Sequence, residues 1–216
     1  MDRYKSLKDH VYDYITDQIQ QGKLSAGDRV PEQSICNELG VSRTPVREAL
    51  ISLVGDGYLD NEPRKGFRVH GFTLEDAREV FQIIGPLDAQ AAFLACDTLT
   101  AEQLNQMEFL VGAMDLAIES ELMDRYDDLQ REFHQIYWQT CGNQRLVEII
   151  NLQSIHFHKK AYNLSNLENA KKLMIKANME HGTICSLFRE KDKHKLRDYI
   201  IDVHWNIQNA YFASWN

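Results

Sequence analysis

The eleven residues GVSRTPVREAL, 40–50, restrict the fold more than any other stretch of this chain. Gly40 is a stop signal for a preceding helix, and Ser42 is a natural N-cap for the next. Pro45 then falls in the first turn of the new helix, where its missing N–H removes no intrahelical bond. Val46, Leu50, Leu53 and Val54 recur at helical spacing and form an inner stripe, which leaves Arg43, Thr44 and Arg47 facing outward. The pattern predicts two short helices joined by a tight turn, with cations around the start of the second.

The flanks extend this motif to a domain. SLKDHVYDYITDQIQQG places Leu7, Val11, Tyr14 or Ile15, and Ile19 at helical spacing, with a Ser6/Asp9 capping box and Gly22 as stop. A second short helix is expected over 32–39. After Gly57 the apolar period changes from helical to alternating. YLDN and GFRVHGF read as two strands joined by EPRKG, a β-hairpin with Gly66 at the bend. Three helices and a hairpin make a winged helix-turn-helix over 1–72, with Arg64 and Lys65 at the tip of the wing.

From Thr73 the signals are helical throughout. One stripe carries Val80, Phe81, Ile84, Leu87 and Ala91, and Thr100 with Gln103 caps a second helix. Further helices are expected at about 122–140, 144–162, 167–190 and 193–214. The fold class is therefore mainly α, a winged helix-turn-helix followed by an antiparallel bundle of six helices over 73–216.

Charge agrees with a division of labour. The net charge is −8, but residues 1–72 hold 10 Lys+Arg against 11 Asp+Glu, and the rest holds 14 against 21. The acidity lies in the helical part, and a local basic patch on the first part is compatible with it. No apolar run approaches the ~18 residues of a membrane span, and the N-terminus lacks a signal-peptide core, so a cytoplasmic protein is expected. Cys36, Cys96, Cys141 and Cys185 are widely spaced, which predicts buried reduced thiols.

Two clusters carry chemistry. Arg43 and Arg47 lie one turn apart at a helix start whose free N–H groups favour phosphate, and arginine reads guanine bidentately. Ser42 and Thr44 are short donors for a phosphate or base edge. The bland alternative is a solvated helix with Arg47 paired to Glu48 or Glu38, worth roughly 0–1 kcal/mol. In the bundle, His134, His181 and His204 each fall on the apolar stripe of a separate expected helix. One such histidine is usually a satisfied core residue, but three on converging helices are ready metal ligands.

GVSRTPVREAL, followed by DGYL, resembles the signature of GntR-family bacterial transcription regulators. The helical remainder, with EFHQIYWQTCGNQRL, resembles the FCD ligand-binding domain of the FadR subfamily. The resemblance implies a sequence-specific regulator, expected to be a repressor. It would bind double-stranded DNA at a short inverted repeat as a homodimer and respond to a small-molecule effector such as an organic acid. It assigns DNA contact to Ser42, Arg43, Thr44 and Arg47 and to the wing at Arg64, Lys65 and Gly66. Gln33 joins them at a place where many relatives have arginine.

The resemblance also implies a divalent metal, zinc or nickel given imidazole ligands, held by His134, His181 and His204. The relatives' aspartate ligand, one turn before the first histidine, is here Gln130, a neutral and weaker oxygen donor. Asp127 and Asp128 do not substitute for it, and His156 and His158 read as ordinary. Ile84 stands where many relatives hold a carboxylate ligand with arginine. The effector pocket is therefore expected around Ile84, Gln130 and the three histidines. A metal-dependent hydrolytic enzyme is disfavoured because no H-E-x-x-H-like motif is present. An architectural DNA-binding protein is disfavoured because it would need broad basic surface.

Overall fold

The computed structural model describes residues 5–71, 73–154 and 167–212. Contacts divide these residues into two units, with Thr73 ending the first and Leu74 opening the second. In the first unit, α1 (Leu7–Gln20) opens with the expected capping box: Ser6 Oγ accepts from the Asp9 N–H at 3.2 Å, and the Asp9 carboxylate accepts from the Ser6 N–H at 2.9 Å. α2 (Glu32–Leu39) ends at Gly40 in the left-handed region, φ 64° and ψ 29°. The N–H groups of Gly40 and Val41 both return to the Cys36 carbonyl. A Cβ would strain that backbone, so the turn between the helices depends on glycine.

α3 (Arg43–Gly55) follows, with Pro45 in its first turn as expected. Ser42 has the extended backbone of an N-cap, but its side chain makes no capping bond, and its cap role is confined to the backbone. Val46, Ala49, Leu50 and Leu53 are fully buried, as are Val11 and Ile15 of α1, which packs directly on α3. The valine, leucine and isoleucine side chains among them each contribute about 1.5–3 kcal/mol on removal from water.

β2 (Leu59–Glu62) and β3 (Gly66–Val69) form the expected hairpin, with Asn61 opposite Phe67 and Glu62 opposite Gly66. The sheet has a third strand that the hydrophobic pattern did not announce. β1 (Arg29–Val30) pairs antiparallel with β3, giving the order β1-β3-β2. Two residues are too short to show alternation, and backbone pairing alone makes them a strand.

The second unit contains α4 (Leu74–Ala95), α5 (Ala101–Glu119), α6 (Met123–Thr140), α7 (Gln144–Ser154), α8 (Leu167–Glu190) and α9 (Lys193–Tyr199). The Thr100/Gln103 capping box is present at the start of α5. α4 lies against α6, α7 and α9, while α5 packs on α6 and α8. Phe133, Tyr137 and Trp138 of α6 are among the largest buried side chains at the centre. The expected extension of α7 to residue 162, with His156 and His158, falls outside the described residues.

The last expected helix, 193–214, is not continuous. α9 gives way to a wider π-helical turn at Ile200–His204, then a break at Trp205 and Asn206, then a 3-10 turn at Ile207–Phe212. Asn206 explains the break. Its side chain donates to the Asp202 carbonyl at 2.7 Å and accepts from the Gln208 N–H at 2.9 Å, bonds that compete with the helix ladder. Residues 213 and 214 lie beyond the description. All four cysteines are free and buried. Among the described residues no helix is long and apolar enough to cross a membrane.

Candidate functional site

Two groups of residues can carry chemistry, one in each unit. At the start of α3, Arg43, Thr44 and Arg47 are all exposed on the face opposite Val46 and Leu50. The first turn leaves backbone N–H groups without helical acceptors, and the dipole favours an anion there. Arg47 makes no ion pair among the described residues, so pairing to Glu48 or Glu38 does not occupy it. Glu38 instead accepts the Tyr14 hydroxyl, whose pKa is pushed up to about 12 by that bond, with burial adding to it.

Gln33, which the sequence offers as a donor to phosphate, is already engaged within the protein through its oxygen and one of its two N–H bonds. Its side-chain oxygen accepts from Arg43 Nη2 at 2.6 Å, and its Nε2 donates to Asn37 Oδ1 at 3.0 Å. α2 and the start of α3 are thereby tied across the turn. In the wing, Arg64 adopts φ 65° and Gly66 φ 87°, which turns the hairpin within three residues. Lys65 pairs with Glu62 at 3.1 Å, and that exposed pair holds Glu62 below its usual carboxylate range.

In the second unit the three histidines do converge. The ring nitrogens of His134 on α6, His181 on α8 and His204 at the end of the π turn supply ligand atoms within 4.8 Å of one another. A zinc ion with Zn–N of about 2.0–2.1 Å sets tetrahedral ligands roughly 3.4 Å apart, so a modest closing of the trio would hold one. His181 supplies the strongest sign of a missing partner. It is fully buried, and neither ring nitrogen has a hydrogen-bond partner among the described residues. An orphaned buried polar group costs about 1–3 kcal/mol, a debt that a metal or ligand atom would relieve.

Burial keeps the rings of His134 and His181 neutral. His134 is held down to about 4, chiefly by desolvation, with Asp88 opposing and His204 adding to the effect. His181 lies well below its ordinary value through desolvation and its two histidine neighbours. The 3.7 Å approach of His134 to Asp88 is therefore not an ion pair near neutrality.

Asp88 is the residue the sequence reading missed. It sits on α4 one turn after Ile84 and is fully buried. It accepts from Tyr137 Oη at 2.7 Å, Trp138 Nε1 at 2.6 Å and Trp205 Nε1 at 2.7 Å. Since the single Tyr137 hydrogen goes to Asp88, its 2.6 Å bond to His134 Nδ1 must be donated by the imidazole. That fixes the proton on His134 Nδ1 and leaves Nε2 with its lone pair. The available signal was an acidic side chain four residues after Ile84 in an alanine-rich helical stripe. A carboxylate there needs donors, and two tryptophans needed acceptors.

Glu180, also buried, does for His204 what Tyr137 does for His134. Its Oε2 lies 3.0 Å from His204 Nδ1, which places the proton on that nitrogen and frees Nε2. Of the other expected residues, Gln130 is half-buried one turn before His134 on the same helix face, and Ile84 is fully buried. Asp128 pairs with Arg131 at the surface, away from the trio.

Comparison with known proteins now adds a decisive match. Residues 79–203 match the family described as "FCD domain", and residues 7–69 match "Bacterial regulatory proteins, gntR family". The chain belongs to the GntR family, with an FCD domain. The uncharacterized HTH-type transcriptional regulator YdhC of Bacillus subtilis is 27% identical over 90% of this chain and 86% of its own. The HTH-type transcriptional regulator McbR of Escherichia coli is 25% identical over 93% of this chain and 90% of its own. The HTH-type transcriptional repressor RspR of the same organism is 26% identical over 64% of this chain and 60% of its own. The solved E. coli McbR/YncC structure superposes with TM-score 0.71 at 24% identity, covering 96% of this chain and 98% of that one, which shows the shared fold. This GntR regulator thus has the architecture expected from the sequence: a winged helix-turn-helix and a helical FCD domain.

Proposed function

We propose that this GntR-family protein is a homodimeric repressor whose residues 1–72 read a short inverted repeat in double-stranded DNA and whose residues 73–216 sense a small molecule. The observation that carries the DNA reading is the exposed set Arg43, Thr44 and Arg47 at one helix N-terminus. Arg43 and Arg47 reach guanine edges, Ser42 and Thr44 take phosphate, and Gln33 with Arg64, Lys65 and Gly66 adds contacts to the flanking backbone. RspR, named a repressor, supports the sign of the response. Exposed Phe109 and Leu116 on α5, with Met179 and Ile175 on the adjoining α8, support a second copy as partner.

On the sensing side, His181 supports a ligand-binding reading through its two unpartnered nitrogens. His134, His181 and His204 would hold zinc or nickel, Gln130 adding at most a neutral oxygen. The metal would supply an open coordination position for an organic acid, with Ile84 in the pocket wall. A ligand regulates only if it binds the DNA-competent and DNA-incompetent states unequally.

The test combines footprinting on selected operator DNA with elemental analysis and native mass spectrometry of the purified protein. Two protected half-sites about one helical turn apart, bound by a dimer carrying one metal per chain, are expected. A monomer on a single asymmetric site would remove the dimer reading. A protein that takes up neither zinc nor nickel on titration would remove the metal reading.

A further inference from the structure

Three neutral imidazoles around a divalent cation leave two positive charges in a buried site. Such charge is costly to desolvate unless something nearby balances it. Position 130 cannot do so, because it is glutamine. Two carboxylates lie further out, one hydrogen bond and two hydrogen bonds from the ring nitrogens, and neither belongs to the inner trio. Glu180 accepts directly from His204 Nδ1 at 3.0 Å, both side chains being buried. Asp88 acts through one hydroxyl: His134 Nδ1 donates to Tyr137, which donates to Asp88. His181 has no such carboxylate partner among the described residues.

We propose that Glu180 and Asp88 form the charged outer layer of the histidine site, replacing by two indirect carboxylates the single direct one that Gln130 cannot provide. The inference rests on the metal reading above. Each carboxylate is a positioning residue. It fixes the tautomer that turns Nε2 toward the cation, and it raises the basicity of that nitrogen by drawing on the Nδ1 proton. Loss of such an outer partner typically weakens metal affinity by about 10–100-fold. The arrangement is asymmetric. Glu180 acts on His204 without an intermediary, so its removal should weaken binding more than breaking the longer Tyr137 relay.

The experiment measures zinc and nickel dissociation constants by competition with a chromophoric chelator, using the full chain stripped of metal. Glu180→Gln keeps an oxygen that can accept from His204 but removes the charge. Glu180→Ala removes both. Asp88→Asn keeps one accepting oxygen but sets an amide N–H against at least one of the three donors and is prone to unfold, so Tyr137→Phe serves to cut the His134 relay while leaving the two tryptophan bonds to Asp88. Expected are a loss of about tenfold for Glu180→Gln, approaching a hundredfold for Glu180→Ala, and a few-fold to tenfold loss for Tyr137→Phe. The metal-free melting temperature of Glu180→Gln should stay near that of the wild type, while the rise on adding metal shrinks. Wild-type affinity in Glu180→Gln with weakened Glu180→Ala would show geometry without charge and overturn the proposal. Wild-type affinity in all three variants would overturn it outright. A wild type that binds no metal removes the underlying metal reading, a different result from either.

Discussion

The Arg43 guanidinium donates to the Gln33 side-chain oxygen at 2.6 Å, across the turn that separates α2 from α3. Because Gln33 is itself held by Asn37, the glutamine is a brace between the two helices as well as a group on the surface proposed to read DNA. A flexible arginine loses rotamer entropy when it docks on a base, and a brace that restricts it beforehand reduces that loss.

Gln33→Ala should therefore weaken specific operator binding about fivefold, the loss of roughly 1 kcal/mol that a single hydrogen bond supports. Binding to random DNA should fall less, since the backbone contact proposed for Gln33 carries no charge. Fluorescence anisotropy on operator and scrambled duplexes separates the two. An equal loss on both would leave Gln33 a backbone contact with no bracing effect on Arg43.

Arg43→Ala and Arg47→Ala should each lose about 1–3 kcal/mol of discrimination, on the order of 5–150-fold in the specific-to-nonspecific ratio. Both side chains are exposed and pack nothing in the core, so the far-ultraviolet circular dichroism and melting temperature should stay at wild-type values. Unchanged operator affinity in both variants would remove α3 as the reading helix.

The α3 surface was legible because it is local. Gly40, Ser42, Pro45 and the Val46/Leu50/Leu53 stripe all lie within fourteen residues, and helix periodicity alone decides which side chains face out. The histidine trio was legible for a related reason, each ring lying on an apolar stripe. Asp88 and Glu180 were not. Their roles depend on which side chains meet across helices far apart in sequence, and Tyr137 and Trp205 lie 49 and 117 residues from Asp88. The π turn that carries His204 has no compositional mark either. The sequence likewise gives no sign that Arg43 and Asn37 engage the Gln33 amide, because that contact forms across the turn between two helices.

Acid should destabilise the metal-free protein through its buried imidazoles. His134 titrates near 4 in the folded chain against 6.5 unfolded, and His181 lies well below 6.5 in the fold. Below 6.5 the unfolded chain binds protons that the folded chain refuses, so stability rises with pH in that window. The contribution is complete above about 6.5 and falls by about 1.4 kcal/mol per pH unit per histidine as pH drops toward 4. Urea unfolding of EDTA-treated protein between pH 7 and 5 measures the slope. His134→Gln should flatten it, and an unchanged slope in that variant would assign the acid sensitivity elsewhere.

Asp88→Ala should be among the most destabilising single changes in the bundle. It leaves Tyr137 and Trp138 as buried donors, and Trp205 as a half-buried one, without the Asp88 acceptor; the two buried donors are worth about 1–3 kcal/mol each, for a total on the order of 4 kcal/mol after local relaxation. Ile84→Ala, one turn away and also fully buried, should cost about 2–5 kcal/mol by leaving a cavity. The two variants differ in tryptophan emission. Asp88→Ala releases both indole N–H groups and should shift the spectrum, while Ile84→Ala should leave it near the wild-type position.

Gly85 tests whether the seat of Trp205 matters to the histidines. A Cβ on Gly85 would lie 2.9 Å from Trp205 Cβ, too close for either backbone to remain in place. Trp205 also packs edge-on against Phe81 at 5.1 Å and bonds to Asp88, so it has few ways to yield. Gly85→Ala gains about 1 kcal/mol of helix propensity but should lose about 1–3 kcal/mol to overpacking, a net destabilisation. His204 immediately precedes Trp205 along the backbone, and a displaced Trp205 would move the imidazole ring away from His134 and His181. Metal affinity should therefore fall further than thermal stability, by tenfold or more. A Gly85→Ala protein with wild-type zinc affinity and unaltered tryptophan emission would mean that the C-terminal turn accommodates the methyl group without disturbing the site.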